Sequence, residues 1–245
     1  MMDASKKLLQ VMGGAKYYNK ILSTFGSSII AYWPLWESSG SVAADKSGNA
    51  RNGAYTGVDL GQSGIGDGNT SPYFDGANDC VNIYSASLAA AFSGAEGTMM
   101  IWRKINAAAL VDGLEHDFFC LTGVDADNSF LFFKNYIDND LVFYFKAGAA
   151  VAQVVNGAYA ETSWVHTALT WSHSNDRVIA YNKGVQFGAT KTGIGIWAGA
   201  LSATECVIGA YDTTPSYVWP GTLAHALILN REATAAEVAI AAKVP

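Results

Sequence analysis

Residues Ser163 to Phe187 constrain the fold more than any other stretch of this chain. Within Ser163 to Trp171, Trp164, His166, Ala168 and Thr170 fall on one face of an extended strand and Val165, Thr167, Leu169 and Trp171 on the other, because strand side chains alternate with period two. Both faces are largely apolar, so the strand calls for cover on both sides. The polar run Ser172 to Asp176 predicts a turn, and Val178 to Tyr181 predicts a second apolar strand. Asn182, Lys183 and Gly184 then read as a tight hairpin, in which the glycine supplies a positive φ, and Val185 to Phe187 lead back.

The same punctuation continues on either side. Thr98–Ile105, Phe118–Val124, Ser129–Lys134, Leu141–Lys146, Cys206–Ala210 and Thr222–Leu229 are short apolar runs separated by Gly, Asn and Asp turns. That pattern predicts an all-β chain, a two-sheet antiparallel sandwich rather than alternating β and α units. The glycine-rich run Leu60 to Asn69 lacks the preceding strand, following helix and lysine of a phosphate cradle, and reads as a flexible connection. Thr234 followed three residues later by Glu237 is a capping box for a short C-terminal helix from about Ala235 to Lys243. At the other end, Leu8, Leu9, Met12, Ile21, Leu22 and Phe25 recur at spacings near three and four between lysines. They predict an N-terminal amphipathic helical arm over residues 1–28, broken at Gly13 and Gly14. Its apolar face would dock on its own chain or on another subunit. The β-domain then occupies residues 29–245.

Composition excludes several classes of function. The 245 residues are 15% charged, well below the roughly 25% of an ordinary soluble domain, and 12% aromatic. Such a chain is expected to hide surface against a partner or against copies of itself. A net charge of -6 with scattered Lys and Arg gives no nucleic-acid footprint. No apolar run approaches the roughly 20 residues of a membrane span, so no membrane insertion is expected. Lys6 and Lys7 precede an apolar run that Gln10 interrupts, and no secretion signal is read there. Cys80, Cys120 and Cys206 are odd in number and lack metal spacing, which predicts reduced, buried thiols.

Several motifs occur in an order that resembles a known family. Tyr32, Trp33, Leu35, Glu37 and Gly40 are followed by Asp45, Ser47, Gly48 and Asn49, then by Asn52 and Gly53. Phe74-Asp75-Gly76, Asn78-Asp79 and Val81-x-Ile83 come next, with Trp102, the Trp164-x-His166-x-Ala168-x-x-Trp171 strand, Val207-Ile208-Gly209-Ala210 and Ala233 to Glu237 after them. Together these are similar to the laminin G-like, concanavalin A-like jelly-roll lectin family over residues 29–243. The resemblance implies a jelly-roll sandwich that recognises ligands rather than one fixed activity. With low charge, no secretion signal and an added arm, the chain is similar to bacteriophage virion components such as capsid decoration, tail or fibre proteins. On that reading the protein is made in the host cytoplasm and resides in the virion. Its partners would be other virion proteins or copies of itself, and cell-surface glycans. The alternative is an extracellular, stand-alone carbohydrate-binding lectin.

A glycoside hydrolase ranks last, because it needs two carboxylates facing each other across a sugar. The nearest acidic cluster, Asp112, Glu115 and Asp117, surrounds Gly113 in a loop. No nucleophile motif occurs, and His166 reads as a packed strand residue, so the chain is expected not to be an enzyme. Sugars present apolar C–H patches ringed by hydroxyls, and Trp197, Tyr211, Asp212, Tyr217 and Trp219 offer aromatic faces beside a hydrogen-bonding side chain. They are the carbohydrate-binding candidates. No cofactor is required. The resemblance implies calcium at loop oxygens, for which Asp75, Asn78 and Asp79 form one compact set and Asp125, Asp127 and Asn128 another, although neither has EF-hand order.

Overall fold

The central hairpin forms as its sequence dictates. Strand β12 (Val165–Ser172) pairs antiparallel with β13 (Arg177–Asn182), and β13 with β14 (Val185–Lys191). Lys183 and Gly184 join the last two with φ of 54° and 76°, the two positive values of a type I′ turn. A Cβ on Gly184 would also lie 2.8 Å from the Cβ of Ala242, so the turn packs closely against the C-terminal helix.

The computed structural model describes residues 16–125 and 127–244. Helix α1 covers 16–25. After it come β1 (Ile29–Trp33), β2 (Val42–Ala43), β3 (Gly53–Thr56), β4 (Asp59–Ser63), β5 (Thr70–Asp75) and β6 (Cys80–Asn82). Helix α2 (Ala86–Ala91) leads to β7 (Glu96–Ile105), β8 (His116–Gly123), β9 (Asn128–Lys134), β10 (Asp140–Ala147) and β11 (Ala150–Ala158). Beyond the hairpin lie β15 (Leu201–Ile208), β16 (Pro220–Leu229) and helix α3 (Ala235–Ala241). One sheet runs β14-β13-β12-β7-β16-β5-β4 with β1 also on β16, and the other runs β11-β10-β9-β8-β15-β6-β3-β2. The expected two-sheet antiparallel sandwich is what the chain forms.

The main core lies between the sheets and is rich in rings. Phe130 sits 4.1 Å from Trp171 and 4.9 Å from Phe145, and Phe132 5.1 Å from Phe143, centroid to centroid. Leu169 and Trp171 of β12 and Met99, Ile101 and Ile105 of β7 point into it. Their alternates, Ala168, Met100 and Trp102, face outward into a second apolar cluster. Helices α1 and α3 cover that cluster, with Tyr17, Ile21 and Phe25 only 1–3% exposed and Val238 and Ala241 fully buried. Burying each large side chain is worth about 1.5–3 kcal/mol, so α1 is held by its own sheet. Of the two docking surfaces expected for the arm, its own chain is the one used over residues 16–25: Ile21 and Phe25 are buried there and Leu22 packs beside them, which corrects the anchoring role given to these three residues. Position 28 is therefore no boundary between separately packed parts. Leu8, Leu9 and Met12 lie outside the described residues.

One hydroxyl ties this layer together. Trp102 Nε1 of β7 donates to Tyr17 Oη of α1 at 2.7 Å, and Tyr17 Oη donates to the Ala241 carbonyl of α3 at 2.8 Å. The capping box of α3 forms as expected, with Thr234 Oγ1 accepting from Glu237 N and Glu237 Oε2 accepting from Thr234 N. Strand β16 first pairs β5 and then, beyond an irregularity between Ala224 and Leu227, pairs β1. His225 marks the handover with φ of 53°. It is pinned by Tyr32 Oη at 2.7 Å and Asp67 Oδ2 at 3.2 Å.

One local expectation needs correcting. The run Leu60 to Asn69 is not simply a connection, because its first part belongs to β4, which gains backbone partners on the edge of the sheet from β5. Gly53 lies in β3, where a Cβ would sit 3.0 Å from the Asn82 carbonyl oxygen of β6. The three cysteines are free and buried, as expected.

Tyr17→Phe should lower unfolding free energy by about 1–3 kcal/mol in urea titrations, because the indole N–H and the Ala241 carbonyl are left buried without partners. His166, buried beneath the helices, has its pKa lowered to about 3 by burial, with Lys20 and His225 adding repulsion. The unfolded chain protonates this ring near its ordinary 6.5, so between those values it binds the extra proton and stability is lost as pH falls. Each pH unit in that window costs up to about 1.4 kcal/mol. His166→Leu should remove one proton from the uptake on unfolding at pH 5, measured from urea midpoints across pH.

Candidate functional groove at one end of the sandwich

Strand register gathers three loops at one end. Pro220 pairs with Asp75 and Gly221 with Ile105, so the segments after β5, after β7 and before β16 emerge together. Asp117 N donates to the Tyr217 carbonyl at 2.7 Å, which brings the start of β8 to the same place. Between these loops lie two adjoining depressions of about 220 and 300 Å³ that share Gly76, Leu114 and His116. Glu115 and Tyr217 border the first, and Asp75, Asn106, Asp112 and Pro220 the second.

Buried polar contacts fix the groove walls. His116 Nδ1 lies 2.7 Å from the Val218 carbonyl and Nε2 2.7 Å from Asp112 Oδ2. The fully buried Lys134 ammonium donates to Asp112 Oδ1 and to the Leu114 carbonyl, both at 2.8 Å. Burial works against the Asp112 charge, but the bonds from Lys134 and His116 outweigh it and hold the carboxyl below its usual range. Asn106 Nδ2 donates to Tyr73 Oη at 2.8 Å. Asp117 lies behind this wall, 1% exposed, and neither carboxyl oxygen has an N–H or O–H partner among the described residues, the Cys120 thiol being its side-chain neighbour. Burial, with the nearby Glu115 charge, raises its pKa well above the ordinary carboxylate value.

The five aromatic-loop candidates part company here. Tyr217 is 52% exposed at φ of 51°, a left-handed conformation that is unusual for a non-glycine residue, and presents its ring at the groove mouth. Tyr211 is half-buried and meets it edge to face at 6.1 Å. Asp212 accepts from Thr214 Oγ1 and Ser216 Oγ at 3.0 Å each, so it braces its own loop. Trp219 is fully buried, 4.9 Å from Phe118, with Nε1 donating to the Lys104 carbonyl. It has no face to offer a sugar, which corrects its assignment. Trp197 is at the opposite end, by the start of β7, where it stacks on Phe130 at 5.1 Å and fills the space beside Gly94. It is a partly buried plug of the core and takes no part in the groove.

The calcium set fits an ion poorly. Asp75 Oδ1 accepts from Ala77 N at 2.7 Å and Asp79 Oδ2 from Asp75 N at 2.7 Å, so these oxygens close a turn. Asp79 is 3% exposed, and burial raises its pKa, which disfavours the charged form. Asn78 is exposed. Asp125 accepts from Asn128 Nδ2, and Asp127 pairs with Lys146 at 2.9 Å. Among the described residues no group of three or more His, Cys, Asp or Glu could hold a metal ion. Asp75 does border the groove, and in that role belongs with Tyr217. Sequence reasoning overlooked Asn106, Leu114 and His116 as groove residues. The available signal was apolar Val111 and Leu114 in an Asp-Gly loop, where both are exposed, at 79% and 59%.

Residues 89–239 match the family described as the concanavalin A-like lectin/glucanases superfamily. No curated protein sequence matches the chain. Among solved structures, domain 4 of an extracellular arabinanase from Geobacillus stearothermophilus, in complex with arabinotriose, superposes with a TM-score of 0.65. It is 15% identical, over 88% of this chain and 98% of that one. The receptor binding domain of botulinum neurotoxin mosaic serotype C/D gives 0.65 at 10% identity, over 89% of this chain and 51% of that one. A Trypanosoma rangeli sialidase in complex with sialic acid gives 0.62 at 12% identity, over 94% and 38%. This chain thus spans about half of the toxin domain and a smaller part of the sialidase. At these identities the likeness is one of fold. The family match covers more than half of the chain, and the protein belongs to the concanavalin A-like lectin/glucanase superfamily.

Proposed function

We propose that the protein is a non-catalytic glycan-binding module whose ligand lies in the groove at the Tyr217 end. The observation that carries this reading is Tyr217 itself, a half-exposed ring held in a strained backbone conformation over a preformed depression. A pyranose or furanose can set its C–H face on that ring. Its hydroxyls then meet Glu115, Asp112, Asn106 and Asp75, whose loops are braced from behind by Lys134 and His116. Binding gains from preorganisation, since the walls are already tied together before the sugar arrives.

The carboxylates favour binding over hydrolysis. A glycosidase sets an acid and a second carboxylate about 5–9.5 Å apart on either side of the scissile bond. Here Asp112 is paired with Lys134 and hydrogen-bonded to His116, Asp117 is out of reach of solvent, and Asp75 caps a turn. The arabinanase domain solved with arabinotriose makes arabino-oligosaccharides the first ligands to try. A place on a virion surface rests on the sequence resemblance alone, because Ile21, Leu22 and Phe25 pack on their own sheet.

Titration of arabinotriose and of a glycan array should give saturable binding to at least one saccharide. Tyr217→Ala should weaken it at least tenfold, about 1.4 kcal/mol, with the fold intact by circular dichroism. Trp197→Ala should lower the unfolding midpoint and leave the affinity unchanged. Equal affinity in wild type and Tyr217→Ala would move the ligand elsewhere, and release of reducing sugar from a bound polysaccharide would replace the module with an enzyme.

A further inference from the structure

Two basic side chains with long stems, Lys134 and Arg103, are completely buried among the described residues. Lys134 has the Asp112 carboxylate at 2.8 Å. Arg103 makes no ion pair among the described residues, and the Glu161 charge reaches it only at longer range. It projects from β7 into the space between the sheets, on the face that carries Ile101 and Ile105. Its guanidinium lies 4.3 Å from the Tyr159 ring centre and 5.3 Å from that of Phe118. Ring faces stabilise the cation but leave its N–H edges unsatisfied. Nη2 makes one long bond of 3.4 Å to Asn182 Oδ1, and Nε and Nη1 have no hydrogen-bond partner among the described residues. The Tyr159 hydroxyl is buried with no hydrogen bond of ordinary geometry among the described residues, and its interaction is with the guanidinium beside it. A buried charge in this condition is costly, and natural structures answer it with an anion.

A depression of about 160 Å³ opens beside it, walled by Tyr159, Asn182, Glu161, Leu141 and Phe187. That is far more than the on the order of 10–15 Å³ that a single ordered water needs. Tyr159 and Asn182 are both walls of the depression and direct neighbours of the guanidinium. We propose that this depression is a carboxylate-binding site, in which Arg103, with Tyr159 Oη and Asn182, receives the planar carboxylate of a small acid. Nη2 spends one of its two hydrogens on Asn182, so a two-point fork remains on one edge of the guanidinium. Glu161, paired on the outside with Lys183, disfavours a doubly charged ligand such as phosphate. The site is separate from the Tyr217 groove, and its carboxylate can come from an acidic sugar or from a free organic acid.

The test follows the Arg103 Nε–H resonance of the full chain by nitrogen-15 NMR during titration with sodium glucuronate, sodium acetate, glucose and sodium chloride. Glycan binding at Tyr217 does not enter this readout. Saturable shifts with glucuronate and acetate mean that any small carboxylate fills the site; shifts with glucuronate alone mean an acidic sugar. Glucose and chloride should bind at least tenfold more weakly. Calorimetry on R103K, which keeps the charge and loses the fork, and on Y159F should show at least tenfold and severalfold weaker binding. E161Q should bind no less tightly than wild type. No shift with either carboxylate, equal binding of glucose and glucuronate, or loss of binding in E161Q would overturn the proposal.

Discussion

A sheet with two apolar faces is the constraint from which the rest of this molecule follows. Strands β7 and β12 carry large side chains on both sides, so facing a second sheet solves only half of their problem. The other half is solved by the chain's outermost described elements, α1 and α3, which meet over Trp102 and are joined through the Tyr17 hydroxyl. The helices are thus an outer layer of the sandwich rather than appendages. The scarcity of charge in the sequence has the same origin: with two apolar layers to bury, the chain has little surface on which to place it.

The groove end is built by a different rule. There the strands stop and backbone pairing gives out, and buried polar side chains take over the work of fixing geometry. Lys134, Asp112 and His116 lock the segment after β7 to β9 and to the approach to β16. Arg103 and Asp117 sit a layer deeper with hydrogen-bonding capacity unused. Buried groups of this kind are poor contributors to stability.

Local signals carried far in the sequence, and distant ones did not. The capping box at Thr234 and the Lys183-Gly184 turn depend on neighbours within a few residues, so both could be read directly. The two-faced β12 could be read because its period is strict. The amphipathic run ending at Phe25 announced that something apolar would cover it, but the covering surface is assembled from residues scattered between Ile29 and Ala241 and leaves no local trace. Tyr217 and Trp219 look alike as loop aromatics. They separate because Trp219 N bonds the Gly209 carbonyl and its ring enters the core, while Tyr217 turns out at a positive φ. Trp197 reads as an exposed loop residue until Phe92 and Phe130 are placed beneath it. An arginine on an alternating strand reads as solvent-facing, so Arg103 gave no warning of its burial.

The Tyr17 bond to the Ala241 carbonyl spans 224 residues of chain. A ribosome adding about 5–20 residues per second needs roughly 10–45 s between making the donor and making its acceptor. During that interval the outer face of β7 can be complete while its lid is not, and α1 has only half of its eventual surroundings. Helix α3 therefore closes this layer after the strands beneath it have been made, and until then the nascent chain carries an uncovered aromatic surface that chaperones are suited to hold.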